Sequence, residues 1–281
     1  MKVSDIISLC CMTEQEKFTY LQCFLNKYYN KGRVVVSPSH SYMFAVGDIS
    51  ICLIAHIDNV FNQPPQSKDF LHDQAKHILW GGGCGFDDAA GIYAIMQIVK
   101  DGYRPHIIFT TGEEVGGIGA QKLIQDCPSI PFSCYFLVEL DRGHSIDCVF
   151  YSHDDSDFTK FIEGYGFEEA LGSFTDISVL MPAWEIAGVN LSIGYEYEHT
   201  PYEILHYKEM EQTIAKVEAI LRDADNDGQF WKYKRREWTF ASNDSCPICG
   251  IPLGSNAATI TVRNELGTVK LCPSCWGQYC V

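Results

Sequence analysis

The sequence predicts an α/β fold with a mostly parallel central sheet flanked by helices. The first observation is an apolar, β-branched run, HIIFTT at residues 106–111, which is typical of a strand buried on both faces. The second is the alternation of strand-like and helix-like segments along residues 13–225. The third is that carboxylates and histidines follow several of the strand-like runs, where open α/β sheets bind ligands.

Each element has its own local signal. Thr13 and Glu16 can form a capping box, and an apolar stripe follows at helical spacing, so a helix is predicted at residues 13–30. The next elements predicted are strands at 33–37, 42–46 and 49–57, a loop at 61–77 and a helix at 89–99. After the strand at 106–111 come a helix at 120–126, strands at 134–140 and 147–152, helices at 158–163 and 177–180, a strand at 189–195 and a long helix at 202–225.

A change in charge predicts two units along the chain. Residues 228–281 carry a balance of +3, whereas the first 227 residues carry −18. Such a step is one sign of a domain boundary. We therefore expect an α/β domain at residues 1–227, followed by a linker and a small module at residues 228–281.

Composition limits the classes of protein to consider. The net charge of −15 argues against a general nucleic-acid binder. There is no apolar run of about 18 residues, so no membrane span is expected. The 13 cysteines come without a recognisable export signal, which favours reduced thiols, some of them on metal, in a cytoplasmic protein.

Side chains suited to metal binding recur at the predicted strand ends. They are His56, Asp58, Asp87, Asp88, Glu113, Glu114, Asp141 and His199. Each has an ordinary explanation by itself; Asp87 and Asp88, for example, suit the start of a helix. Together at one sheet edge, however, the carboxylates would repel each other strongly without a cation. Imidazole and carboxylate ligands suit Zn²⁺, and less selectively Mn²⁺ or Co²⁺.

Five motifs in chain order resemble those of the co-catalytic zinc metallopeptidases, a clan of bacterial zinc aminopeptidases and related carboxypeptidases and deacylases. The motifs are AHID, GFDDAAG, FTTGEEVGGIGA, VELDRG and SIGYEYEHTPYEIL. The ordered set carries the resemblance, and no single motif would. Because only 57 residues separate Asp141 from His199, with little room for an inserted lid domain, the chain looks most similar to the compact aminopeptidase branch.

The resemblance implies a role for each matched residue. The implied metal ligands are His56 and Asp141 for one zinc, Glu114 and His199 for a second, and Asp87 bridging both. Glu113 resembles the general base, and Asp58 resembles the residue that orients His56. Asp88 follows the bridging position, where the family often has a cis peptide. Asp176 matches a position near the substrate pocket in some members.

These roles imply a dinuclear zinc hydrolase that cleaves an amide or peptide bond with a metal-bridging water and Glu113 as general base. An aminopeptidase acting on peptides is the leading interpretation. An N-acyl amino acid deacylase, acting on acylated amino acids, and a glutaminyl-cyclase-like enzyme share the same chemistry and stay open. A third alternative is an inactive hydrolase fold that serves as a binding module. Metal content separates it from the others, because such a scaffold would not hold two zinc ions.

The C-terminal region carries an independent metal signal. Two C-x-x-C pairs, Cys246 with Cys249 and Cys272 with Cys275, are separated by 22 residues and resemble a zinc ribbon. We expect one structural Zn²⁺ that lets this module fold. Ahead of it, basic and aromatic residues alternate at 231–238, which we interpret as a solvated linker. Contact with nucleic acid or with a protein partner through this module is the alternative.

Overall fold

The computed structural model describes residues 2–236 and, for their backbone, two strands between residues 260 and 271. The described helices are α1 (Val3–Cys10), α2 (Glu14–Tyr28), α3 (Phe86–Lys100), α4 (Ile118–Asp126), α5 (Ser156–Glu163), α6 (Asp176–Trp184) and α7 (Tyr207–Asp227). The described strands are β1 (Val34–Val36), β2 (Tyr42–Ala45), β3 (Ile49–His56), β4 (Leu71–Asp73), β5 (Ile78–Trp80), β6 (Pro105–Thr110), β7 (Leu137–Arg142), β8 (Asp147–Val149), β9 (Glu168–Glu169), β10 (Gly188–Ser192), β11 (Tyr195–Glu196), β12 (Ile204–His206), β13 (Ile260–Asn264) and β14 (Gly267–Leu271).

An eight-stranded sheet forms the centre of the fold, with the order β1-β2-β6-β3-β7-β10-β8-β9. Its middle strands, β6, β3, β7 and β10, are parallel to one another. The neighbours β2 and β8 run antiparallel to this central group. The predicted mixed α/β architecture with a mostly parallel central sheet is therefore confirmed. All four parallel strands end at the same edge of the sheet.

The surroundings of strand β3 explain why its sequence is continuously apolar. Ile51, Leu53 and Ala55 point to one hydrophobic core, whereas Cys52 and Ile54 point to a second. Helices α1, α2, α3, α5 and α7 contribute to the first core, and α4 and α6 contribute to the second. Because both faces are covered by helices, no alternation with polar residues is possible. Among the described residues, no helix has the length and apolar character needed to cross a bilayer.

A second, smaller sheet was not predicted. It contains four antiparallel strands in the order β11-β12-β5-β4. Strand β4 lies in the segment predicted as a loop, and β12 occupies residues 204–206, so the last helix begins at Tyr207 rather than at residue 202. Helix α1 was also not predicted. Strands of two or three residues are too short for hydrophobic periodicity to identify.

The segment after α7, predicted as a linker, packs against the α/β domain as far as residue 236. The backbone of Trp231 donates to the Tyr135 carbonyl and accepts from the Ala187 amide, both at 2.9 Å. Trp231 is only 9% exposed, and the centroid of its ring lies 5.3 Å from that of Phe158. Basic side chains here contact carboxylates, Lys232 with Glu185 at 3.0 Å and Arg236 with Glu169 at 2.9 Å. Residues 231–236 are therefore held by the main domain.

Further along the chain, β13 and β14 pair as an antiparallel hairpin. The hairpin lies, in sequence, between the two C-x-x-C pairs. The four cysteines predicted to hold a structural zinc, Cys246, Cys249, Cys272 and Cys275, lie outside the described residues.

Candidate metal centre

The predicted site residues converge at the edge where the parallel strands end. His56 is the last residue of β3, Glu113 and Glu114 follow β6, and Asp141 lies near the end of β7. The remaining two come from other segments: Asp87 from the start of α3 and His199 from the loop between β11 and β12. The structure thus brings together, in one cluster, His56, Asp58, Asp87, Glu113, Glu114, Asp141 and His199.

One half of the cluster is organised around the ring of His56, which is 1% exposed. Its Nε2 atom lies 2.9 Å from Asp87 Oδ1 and 3.5 Å from Asp141 Oδ1. Its other nitrogen, Nδ1, faces Asp58 Oδ1 at 3.4 Å. A proton shared with Asp58 would leave the Nε2 lone pair directed towards the two other carboxylates, which is the tautomer that a metal-binding imidazole needs.

The other half is organised around His199. Its Nε2 atom lies 3.1 Å from Asp87 Oδ2 and 2.9 Å from Glu114 Oε2. Asp87 therefore directs one oxygen to each histidine, which is the arrangement expected of a carboxylate that bridges two cations. The His199 side chain is 52% exposed, so this half of the cluster is open to solvent. Its backbone has φ of +61°, a left-handed conformation that is uncommon for residues other than glycine and often marks functional positions.

Asp88 is a second candidate for the carboxylate that would bridge two cations. Ligand atoms of His56, Asp88 and Asp141 lie within 4.8 Å of one another, as do those of His56, Asp87 and Glu114. However, Asp88 Oδ2 accepts from the His56 amide at 3.2 Å and Oδ1 accepts from the Gly91 amide at 2.9 Å. Both Asp88 oxygens are thus occupied by backbone donors, and Asp87 is the better bridging candidate. The peptide bond between the two is cis.

The pKa shifts of the side chains in the cluster fit a site that binds a cation. Burial, followed by repulsion from Asp141, raises the pKa of Glu113 to about 9. Burial and the neighbouring Asp87 raise the pKa of Asp141 to about 6. Hydrogen bonds with Asp87 and Glu114 raise the pKa of His199 to about 11. Bound protons thus offset part of the negative charge of the cluster. A divalent cation would offset the same charge, and its binding would release these protons. Glu114 Oε1, which is buried and has no hydrogen-bond partner among the described residues, offers a further ligand atom.

Asp58 connects the two adjacent glutamates to His56. Besides facing the imidazole, its carboxylate accepts from the backbone amides of Glu113 and Glu114, both at 3.2 Å. These contacts hold the turn after β6 against the end of β3. The two glutamate side chains have different neighbours, since Glu114 Oε2 lies 2.9 Å from His199 Nε2 whereas burial and the charge of Asp141 raise the pKa of Glu113. Two neighbouring residues can therefore perform different tasks.

Glu203 is a site residue that the sequence did not reveal. It is fully buried, and its two carboxylate oxygens accept from the amides of Gly85 and Asp87, at 2.6 and 2.8 Å. It lies four residues after His199, so a single segment holds both the histidine and the loop that carries Asp87. No spacing signal marks it, because its partners are more than 100 residues away in sequence.

Two further contacts position the same residues. Tyr195 and Thr175 donate hydroxyl hydrogen bonds to Asp141, at 3.0 and 2.9 Å. Gly91 has no space for a side chain, since a Cβ there would lie 2.1 Å from the Leu140 carbonyl oxygen. That close approach brings the start of α3 against the end of β7, next to Asp141.

Asp176 lies beneath the cluster rather than at its surface. Its side chain is fully buried at the start of α6 and accepts a hydrogen bond from the Thr110 hydroxyl. Burial raises its pKa to about 7. The resemblance implies a position near the substrate pocket, and this role of Asp176 stays a prediction.

Comparison with known proteins extends this picture at the level of the fold. No family model matches the sequence, and no curated protein matches it either. Solved structures do match: the aminopeptidase PepT of Bacillus cereus ATCC 10987 has 15% identity and a TM-score of 0.62, over 79% of this chain and 97% of that chain.

Two other solved structures resemble this chain to a similar degree. A tripeptidase of Staphylococcus aureus has 14% identity and a TM-score of 0.63, over 80% of this chain and 98% of that chain. A TET aminopeptidase from a marine sediment archaeon of the Thaumarchaeota has 12% identity and a TM-score of 0.62, over 80% and 97%. The chain therefore has the α/β fold found in these peptidase structures, with a candidate metal site at the carboxyl edge of its parallel strands.

Proposed function

We propose that this protein is a metal-dependent amide hydrolase with two divalent cations, most simply a zinc aminopeptidase. The main supporting observation is the position of Asp87, which directs one carboxylate oxygen to His56 and the other to His199. His56 and Asp141 would hold one cation, and His199 and Glu114 would hold the other. Zn²⁺ suits this mixture of imidazole and carboxylate, with Mn²⁺ or Co²⁺ as alternatives.

When bound, the two cations would supply an activated water and polarise the scissile carbonyl. Glu113 would take the proton of the attacking water and pass it to the leaving amine. It suits this task because it is partly buried beside the cluster and its own side chain is not used to contact either histidine. Asp58 would keep His56 in the tautomer that leaves Nε2 free.

The substrate class is proposed from the fold matches. The PepT, tripeptidase and TET structures are described as peptidases or aminopeptidases, which favours short peptides. An N-acyl amino acid deacylase and a glutaminyl-cyclase-like enzyme would use the same centre. An inactive binding module is disfavoured because every ligand and the proposed base are present. The cytoplasmic location stays a prediction from the cysteine content.

The decisive experiment combines metal analysis with a substrate panel. The protein would be loaded with Zn²⁺, Mn²⁺ or Co²⁺, and its metal content measured by plasma mass spectrometry. Aminoacyl amides and short peptides, N-acyl amino acids, and peptides with N-terminal glutamine would then be supplied separately. We expect metal-dependent release of free N-terminal residues from the peptides. Two bound metal ions without any turnover would indicate a binding module, and failure to bind metal at the main domain would refute the proposal.

We also propose that the C-terminal module is a zinc ribbon held by Cys246, Cys249, Cys272 and Cys275, with the domain boundary after Arg236. The hairpin of β13 and β14 supports this, since a ribbon presents its two cysteine pairs on either side of such strands. Contact of the preceding basic segment with nucleic acid is disfavoured, because Lys232, Lys234 and Arg236 already contact carboxylates.

Two truncations test this boundary. A chain ending at residue 236 should keep its melting temperature and its activity, and should hold one zinc ion fewer than the full chain. A chain ending at residue 228 also loses Trp231, whose removal from a packed site costs about 3–5 kcal/mol of unfolding free energy. Thermal unfolding and zinc content of both chains provide the measurement. Equal stability of the two truncated chains, or equal zinc content of the full and the 236-residue chains, would contradict the proposal.

A further inference from the structure

Lys17 is a buried lysine that the proposed reaction does not use. It is 4% exposed and lies on the buried face of α2, together with Phe18, Leu21 and Leu25. Its backbone amide donates to the Thr13 carbonyl, but among the described residues its side chain has neither a hydrogen-bond nor an ion-pair partner. An ammonium that is buried to this extent without a contacting anion is costly, because most of its hydration is lost.

Lys17 borders a cleft of about 310 Å³ beside the metal centre. Its polar lining comes from Thr13, Glu14, Lys17, Asn59, Asn62 and Gln63. Two residues connect it to the centre: Ile57 and Asn59 both line the cleft and flank Asp58 in sequence. The Asn59 side chain also donates to the Asp87 carbonyl at 3.2 Å. The cleft therefore borders the segment that carries Asp58 and contacts the backbone of Asp87.

The charges around the cleft favour one kind of ligand. Burial lowers the pKa of Lys17, while the charges of Cys10, Asp58, Asp88 and Glu14 raise it without contacting it. The N-terminus of α2, a 15-residue helix, also faces the cleft at Thr13 and adds partial positive charge. The side-chain amides of Asn59, Asn62 and Gln63 can donate hydrogen bonds. An incoming carboxylate would thus find one cation and neutral donors, with Glu14 as the acidic side chain among the lining residues.

We propose that this Lys17 cleft binds a carboxylate of the substrate and so selects anionic peptides. The proposal rests on the proposed function for its substrate, but the binding site itself does not. The carboxylate can come from an acidic side chain at the N-terminal residue or from the free C-terminus of a short peptide. Both present the same charge and the same two acceptor oxygens to Lys17.

A purely internal role for Lys17 makes a different prediction. If the ammonium served only to offset Asp58 and Asp88, its removal would weaken metal binding or turnover equally for all substrates. A carboxylate site predicts instead a loss confined to anionic ligands. Lys17→Met preserves length and apolar bulk and removes only the charge, so the folded protein should be at least as stable as the wild type. Lys27→Met, an exposed lysine on the same helix, is the matched control.

The first arm measures binding without turnover. Metal-free full-length protein would be titrated calorimetrically with glutarate, and with glutaramide as its neutral counterpart. We expect glutarate to bind the wild type and Lys27→Met, with affinity for Lys17→Met lower by about tenfold or more, as for loss of a charge-assisted hydrogen bond. Glutaramide should not distinguish the three proteins. Equal glutarate affinity in Lys17→Met, or no glutarate binding to the wild type, overturns the proposal.

The second arm distinguishes the two sources of the carboxylate. The substrates are Ala-Ala-NH₂, which is neutral, Ala-Ala, which has a free C-terminus, and Glu-Ala-NH₂, which has an acidic side chain. We expect Lys17→Met to lower kcat/KM by about tenfold or more for one anionic peptide and to leave Ala-Ala-NH₂ unchanged. An equal loss on all three assigns Lys17 to the internal role. If none is hydrolysed, the proposed function fails while the binding arm still decides the cleft.

Discussion

Glu113→Gln is expected to keep both metal ions and the melting temperature of the wild type, while kcat falls by about 10²–10⁴-fold, the usual contribution of a general base. Glutamine preserves the shape of the side chain and removes its ability to accept a proton. The geometry separates this residue from the ligands, since Glu114, and not Glu113, contacts His199 at 2.9 Å. Metal content, thermal unfolding and turnover of the most active peptide, measured on one preparation, test the expectation.

The matched control for this variant is Glu168→Gln, which changes an exposed glutamate on β9 in the same way. It should leave kcat and metal content as in the wild type. A Glu113→Gln protein that retains full turnover would remove Glu113 from the mechanism. A variant that loses a metal ion would make Glu113 a ligand instead of a base.

Asp87→Ala is expected to have the largest effect on metal binding, with loss of both ions and of all turnover. Its carboxylate is the only candidate ligand that reaches both histidines among the described residues, at 2.9 and 3.1 Å. Glu114→Ala, in contrast, should lose or weaken one ion, because His56, Asp141 and Asp87 still surround the other position. Ligand-linked stabilisation gives a second readout: zinc should raise the melting temperature of the wild type and hardly that of Asp87→Ala.

Asp154→Ala, at an exposed aspartate outside the cluster, is the control for non-specific loss of charge. Metal content after dialysis and melting curves with and without zinc would be recorded for all four proteins. Two tightly held ions in Asp87→Ala would contradict the bridging assignment. Equal metal loss in Asp87→Ala and Glu114→Ala would mean that the two positions cannot be occupied independently.

The class of fold and the acidic and histidine residues of the cluster could be predicted from the sequence. Apolar, β-branched runs such as residues 106–111 identify buried strands, because a strand covered on both faces has no polar side. Functional side chains are expected after parallel strands, because the carboxyl ends of all these strands lie at one edge of the sheet. His56, Glu114 and Asp141 are therefore close in space although they are distant in sequence.

The groups that surround those residues could not be predicted, because they come from segments that meet only in the folded chain. Glu203 holds the loop of Asp87, and Trp231 anchors a segment that the charge step placed outside the domain. The short strands of the second sheet carry too few residues for a periodic signal. Lys17 lies in an amphipathic helix, and a function for its charge cannot be inferred from the helix alone. The cleft beside it, which is formed by several segments, suggests one. Such features depend on contacts between distant segments, and a local pattern of residue types contains no information about them.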